Sequence, residues 1–261
     1  MVELLFWPAL IAYGEAAVAY VGEARRPGVA GRLAIWGVRV GWVVQTALLA
    51  AQAVRAGGFA WSSWGGSLNL FVWLVVGAYL IWGCRPRYRL LGLAVLPLVV
   101  VLLVLARVVG IDATSSDYST YFLVTHVGLV LVAFAGFTLA AALAALYLWQ
   151  ERRLKRRATT IFRRVVPPLA RLDELSARTI AVALPALTLG IAIGLARLAE
   201  EGAAFDALMA VTVLTWAVYA LALTLRYVAG WRGRRAAYLV IAGFLLVAIV
   251  RLALPITHFA T

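Results

Sequence analysis

Hydrophobic positions along this chain come in long unbroken runs, and polar residues gather in the short stretches between them. Such a run of about 18 or more residues predicts a transmembrane helix, because roughly 20 residues at about 1.5 Å rise cross a hydrocarbon core of about 30 Å. Eight segments are expected: Glu3–Gly22, Leu33–Val54, Leu68–Trp82, Leu90–Val109, Ser119–Gln150, Arg178–Ala199, Asp206–Val228 and Ala236–Ile256. Pro97 and Pro185 fall inside the fourth and sixth, where a membrane helix tolerates or kinks at proline. The connections carry turn chemistry. They include Arg25-Arg26-Pro27-Gly28, the stretch 57–67 with Trp61 and Trp64, and Arg85 to Arg89 around Pro86. A polar loop, Gly110–Tyr118, precedes the fifth segment, and the longest connection, Glu151–Ala177, is broken by Pro167-Pro168. The fold class predicted is an all-α integral membrane protein, one polytopic domain over residues 1–261.

Composition agrees. Hydrophobic residues make up 65% and charged ones 13%, far from the charged share of an ordinary soluble domain. The single cysteine, Cys84, excludes an internal disulfide and any CxxC site. Glu3 and Glu15 in the first segment, without a basic leader, predict a retained helix and not a cleaved signal. A net charge of +13 raises the question of nucleic acid, but its distribution answers it. Lys and Arg crowd the connections after segments one, three, five and seven, while Arg55, Arg107, Arg197 and Arg251 fall at the opposite ends. Short basic loops stay cytoplasmic, so both termini are expected outside. The basic charge then sets topology and draws the chain to anionic headgroups. The run Arg152–Arg157 reads as a solvated helix end, and the partner expected is the lipid bilayer, not nucleic acid.

Charges and imidazoles inside the membrane are the candidate chemistry. His126 lies about two turns inside the fifth segment, and the only other histidine, His258, lies just past the eighth. An imidazole in a lipid-spanning helix is costly unless something binds it. A helix–helix hydrogen bond is the plain alternative. Under the arginine-derived topology both histidines reach the outer face. Two imidazoles fall short of the three or four ligands of a zinc site. They suit the two axial positions of a haem. Arg55, Arg107, Arg197 and Arg251 offer guanidinium forks for propionates, and Trp61 and Trp64 offer flat rings. For the tryptophans, an interfacial aromatic belt is the plain alternative. Glu15 and Arg39 fall at similar depth in adjacent antiparallel segments, which predicts a contact between them.

Several stretches carry a resemblance. Thr125-His126-Val127-Gly128, followed by an apolar helix ending Tyr147-Leu148-Trp149-Gln150-Glu151, resembles the cytochrome c assembly family, the CcsA/CcmC-type haem-handling membrane proteins. So do Leu172-Asp173-Glu174-Leu175-Ser176-Ala177-Arg178-Thr179, Thr215-Trp216-Ala217-Val218-Tyr219, Arg226-Tyr227, Gly230-Trp231-Arg232-Gly233-Arg234-Arg235-Ala236-Ala237 and Gly243-Phe244. Trp42-Val43-Val44-Gln45-Thr46 resembles the HemX-like branch. The resemblance spans nearly the whole chain. It implies haem binding or haem transport in a multi-pass bacterial inner (cytoplasmic) membrane protein, with partners in haem biosynthesis or cytochrome c maturation.

The departures are informative. The family's tryptophan-rich outer segment corresponds here to Glu200–Leu208, where Asp206 remains and Phe205 stands in place of tryptophan. Gln45 occupies the second helix, where the family's large ligases carry deep histidines. This favours the HemX-like branch, which is linked to haem biosynthesis regulation through the level of glutamyl-tRNA reductase. The site the resemblance implies holds haem between His126 and His258, with Asp206 beside it. Two other classes stay open. One is a small transporter or regulatory membrane protein without haem, although no inverted repeat is evident between the halves. The other is an enzyme, for which no Ser-His-Asp, HExxH or phosphate-binding glycine loop is present.

Overall fold

The computed structural model describes residues 2–25, 28–56, 63–83, 91–110, 120–156, 167–201 and 205–253. The order is α1 (Val2–Arg25), α2 (Val29–Ala56), α3 (Trp64–Gly83), α4 (Gly92–Val109), α5 (Thr120–Lys155), α6 (Leu169–Glu201), α7 (Ala207–Tyr227) and α8 (Arg234–Ala253). Among the described residues there is no strand. A helix satisfies all of its own backbone groups, which lipid cannot do, so apolar runs of this length take no other form. Among the described residues seven helices, α1 to α7, are long and apolar enough to cross a membrane. The eighth expected crossing corresponds to α8, which stands outside that group.

Three of the boundaries that differ from the sequence expectation have a local reason. α3 begins at Trp64 and not Leu68, because the Ser63 hydroxyl accepts from Gly66 N at 3.1 Å and caps the helix early. α5 continues beyond Gln150 to Lys155, where Arg152, Arg153 and Lys155 complement the negative end of the helix dipole. α6 begins at Leu169, directly after Pro167-Pro168, since proline lacks a backbone N–H donor and suits a helix entry, while the single Pro185 is accommodated farther along. The 172–179 motif is therefore helical, not part of a loop.

Contacts divide the chain into two compact units: residues 1–115 with 152–168, and residues 116–151 with 169–261. In the first unit α1 packs on α2 and α4, and α3 packs on α2 and α4, closing a ring of four helices. Its centre holds Phe6, Leu48, Leu96 and Leu103 together with a run of buried neutral polar groups. Tyr13 Oη donates to Gln45 Oε1 at 2.8 Å. Gln45 Nε2 donates to Asn69 Oδ1 at 2.9 Å, and Asn69 Nδ2 donates to Gln52 Oε1 at 3.0 Å. A second link joins Tyr79 to Tyr20, hydroxyl to hydroxyl, at 2.6 Å. Glu23 Oε2 accepts from Gly28 N and Gly31 N, a carboxylate placed at the positive start of α2.

The expected Glu15–Arg39 contact does not form. The depth is as predicted, because Ala12 and Ala16 of α1 lie against Gly37 of α2. The face is not. Tyr13 and Ala16 take the α1 positions that meet α2, leaving Glu15 exposed, and Arg39 is exposed with its guanidinium 5.2 Å over Trp36. Equal depth does not put two side chains on facing surfaces.

In the second unit Ala133, Phe137, Ala140 and Ala144 of α5 pack with Ile180, Ala183 and Leu187 of α6, Tyr219 of α7 and Val240 of α8. The Phe137 and Tyr219 rings stack 3.8 Å apart. Small residues at α5 positions let the neighbouring helices approach closely, the usual basis of helix packing in lipid.

Candidate functional site

His126 sits near the start of α5, half-buried, against α6. Gly190 and Gly194, four residues apart, lie on one face of α6, where Gly190 makes room for Val130 and Gly194 for His126. A Cβ added at Gly194 would fall 2.6 Å from His126 Cε1, so the ring occupies the place of a side chain. His126 Nδ1 lies 2.9 Å from the Gly190 carbonyl oxygen. That oxygen can only accept, so Nδ1 carries the proton and the neutral ring bears its lone pair on Nε2. Phe122, one turn earlier, stacks on the imidazole at 5.4 Å with 2° between planes. Arg197 of α6 places its guanidinium 5.9 Å from the Phe122 ring and pairs with Glu200 at 3.1 Å. The result is an imidazole oriented by the Gly190 carbonyl and by the Phe122 ring, with the Arg197 cation against that same ring. Ligating histidines are commonly fixed through their other ring nitrogen in this way.

The other residues singled out from sequence gather at one end of each unit. Arg55 ends α2, Trp64 begins α3 and Arg107 lies in the last turn of α4. Trp64 is a buried helix residue and not a loop indole. In the second unit His126, Arg197 and Asp206 occupy the start of α5, the end of α6 and the cap of α7. Asp206 accepts from Met209 N at 2.7 Å, which terminates α7 at its N-cap. Arg251 belongs to the last turns of α8. Trp61 and His258 lie outside the described residues. The structure thus joins His126 and Arg197 through Phe122.

The sequence reading missed a second cluster, roughly 27 Å farther along α5 by helical rise. Arg226, at the end of α7 and 8% exposed, donates to Asp173 Oδ2 at 2.7 Å and to Glu174 Oε2 at 3.0 Å. Asp173 Oδ1 also accepts from Gly233 N at 2.9 Å. Gly233 takes φ +69°, a left-handed turn that only glycine adopts readily, and a Cβ there would fall 2.9 Å from Tyr147 Oη. Glu174 in turn accepts from Arg178 at 2.6 Å. Next to it Ser176 Oγ donates to the Ala140 carbonyl at 3.1 Å. One guanidinium therefore ties the first turns of α6 to the α7–α8 turn. A narrow cleft lined by Tyr147, Asp173, Ser176, Arg226 and Val240 opens beside it. The signal was legible in part: adjacent acids at positions 173 and 174 are conspicuous in a chain with only 11 acidic residues. Their partner, more than 50 residues away, was not.

These features define an all-helical, multi-pass membrane protein whose second unit fixes an imidazole near one end and ties an ion-paired arginine near the other. The sequence pattern of the family described as Cytochrome C assembly protein matches residues 61–258, more than half of the chain. Protein HemX of Brevibacillus brevis is 30% identical over 204 residues, covering 75% of this chain and 74% of its own length. The chain belongs to the cytochrome c assembly family. It is thereby a haem-related, HemX-like membrane protein.

Proposed function

We propose that this chain handles haem in a bacterial inner membrane without catalysing a reaction. It does so as one polytopic domain of eight crossings, with both termini on the outer side. The observation that carries the reading is the His126 ring, held through Nδ1 so that Nε2 bears the lone pair. Haem binds at the outer face between His126 and His258, and supplies an iron that takes two neutral imidazoles. Arg197, against the Phe122 ring that stacks on the imidazole, meets a propionate. Arg251 and Asp206 complete the surroundings. Partners come from haem biosynthesis or cytochrome c maturation.

Absorption spectroscopy of the purified protein with added haem tests this. The parent protein is expected to show a six-coordinate, low-spin spectrum. His126→Ala or His258→Ala should convert or abolish it while the fold persists. An unchanged spectrum in the double replacement would remove the axial role. A folded protein that takes up no haem at all would end the reading.

A further inference from the structure

The turn between α7 and α8 carries cations that neither haem handling nor the Arg226 cluster uses. The apolar span of α7 ends at Tyr227, so residues 228–233 stand where hydrocarbon gives way to headgroups. The turn is fixed at both ends. The Leu225 carbonyl accepts from Ala229 N at 3.1 Å and from Trp231 N at 3.0 Å, with Gly230 at φ +67° between them. Gly233 donates its N–H to Asp173 at the other end. Arg232, Arg234 and Arg235 project from this turn, exposed, beside the exposed rings of Tyr227, Trp231 and Tyr238. Two of the guanidiniums rest on those rings. Arg235 lies 6.0 Å over Trp231, and Arg234 lies 5.4 Å over Tyr238 while donating to its hydroxyl at 3.2 Å. A guanidinium on a ring face still presents its N–H edge to a further partner.

The neighbouring acids are committed elsewhere. Asp173 and Glu174 hold Arg226, and Glu174 also pairs with Arg178. Glu151 acts on Arg234 only through space. Among the described residues no salt bridge reaches Arg232, Arg234 or Arg235. Three like charges on one short turn repel one another, and an anion between them relieves that repulsion. Guanidinium forks match phosphate oxygens. A soluble phosphate would meet the cations and leave the rings unused. A phospholipid meets both, with its phosphate on the arginines and its glycerol region against Trp231, Tyr227 and Val228. Any basic loop attracts anionic lipid diffusely, whereas this turn holds its cations in place on aromatic rings. We propose that the α7–α8 turn is a binding site for the headgroup of an anionic phospholipid, with Arg232, Arg234 and Arg235 on the phosphate and Trp231 against the glycerol region.

Retained lipid tests the site. The full chain is reconstituted in vesicles of equal parts phosphatidylcholine and phosphatidylglycerol, extracted again, and examined with its bound lipid by native mass spectrometry. The parent should keep phosphatidylglycerol in preference to phosphatidylcholine, and absence of that preference overturns the proposal. Changing Arg232, Arg234 and Arg235 together to Gln should lower the retained phosphatidylglycerol at least about tenfold. The charge-matched control changes Arg85, Arg87 and Arg89, in the connection between α3 and α4, to Gln. It should lose less than about twofold. Equal losses in the two triple variants would show a diffuse field and overturn the site. If the first variant does not accumulate, the triple change of the same turn to Lys decides, since it keeps the charge and loses the planar forks. It should retain about threefold less phosphatidylglycerol than the parent, and parental retention overturns the assignment. Inorganic phosphate in excess should leave the lipid in place. Its release by phosphate would make this a site for the free ion and overturn the lipid reading.

Discussion

The two units of this molecule solve the same problem with different chemistry. In the first, helices are tied at depth by neutral groups, and every link from Tyr13 through Gln45 and Asn69 to Gln52 is a buried hydrogen bond. In the second, helices are tied near one end by a guanidinium between two carboxylates, and near the other end an imidazole rests on a carbonyl. The difference teaches where charge is tolerable. A neutral amide chain satisfies itself without water and can lie anywhere along a membrane helix. An ion pair must recover the desolvation of both partners, and Arg226 does so with two acids and a backbone donor crowded around one residue pair. The Arg226 ion pairs thus lie in the unit that also carries His126.

That comparison can be broken in steps of decreasing size. Asp173→Ala leaves Arg226 buried with half its partners and frees Gly233 N. Thermal or denaturant unfolding should show a loss of about 3–5 kcal/mol, and adding Arg226→Leu should recover part of it. Additive losses would mean that the two groups are not coupled. Gln45→Leu removes the central link of the neutral chain and strands Tyr13 and Asn69. Interhelical hydrogen bonds in membranes are individually modest, so the expected loss is about 1–2 kcal/mol, with the haem spectrum unchanged. A spectral change there would relocate the haem site to the first unit and invert the comparison.

Smaller still, Gly194→Ala places a methyl group where the imidazole lies. Stability should fall by about 1 kcal/mol, yet the haem spectrum should shift because His126 must move. His126→Ala should cost no more than the roughly 1 kcal/mol of one hydrogen bond while abolishing or converting the same spectrum. Equal spectra for both variants and the parent would show that the imidazole orientation plays no part in binding.

Much of this was readable in the chain. Apolar runs too long for a soluble core set the helices, because a backbone in lipid has no other way to satisfy its donors and acceptors. Proline placed the start of α6 within the connection, although the helix extends nine residues before Arg178. His126 was conspicuous because imidazole is rare and expensive in lipid. Arg197 was singled out by its end of the helix, and its guanidinium lies 5.9 Å from the Phe122 ring that stacks on His126. Glu15 and Arg39 show the limit. Their depth follows from counting residues, but which face each presents depends on how α1 rolls against α2, and Tyr13 and Ala16 decide that roll.

By itself, then, the sequence determined the membrane class, the helices and the rare polar residues inside them, since these depend on composition and on rise per residue along one axis. Only the tertiary structure decided which of those polar residues meet. It joined Asp173 to Arg226 and Gly233, set Gln45 between Tyr13 and Asn69, and turned Nδ1 of His126 to the Gly190 carbonyl. Those pairings depend on helix rotation and on the few glycines and alanines that let helices approach, which are contacts between residues far apart in the chain.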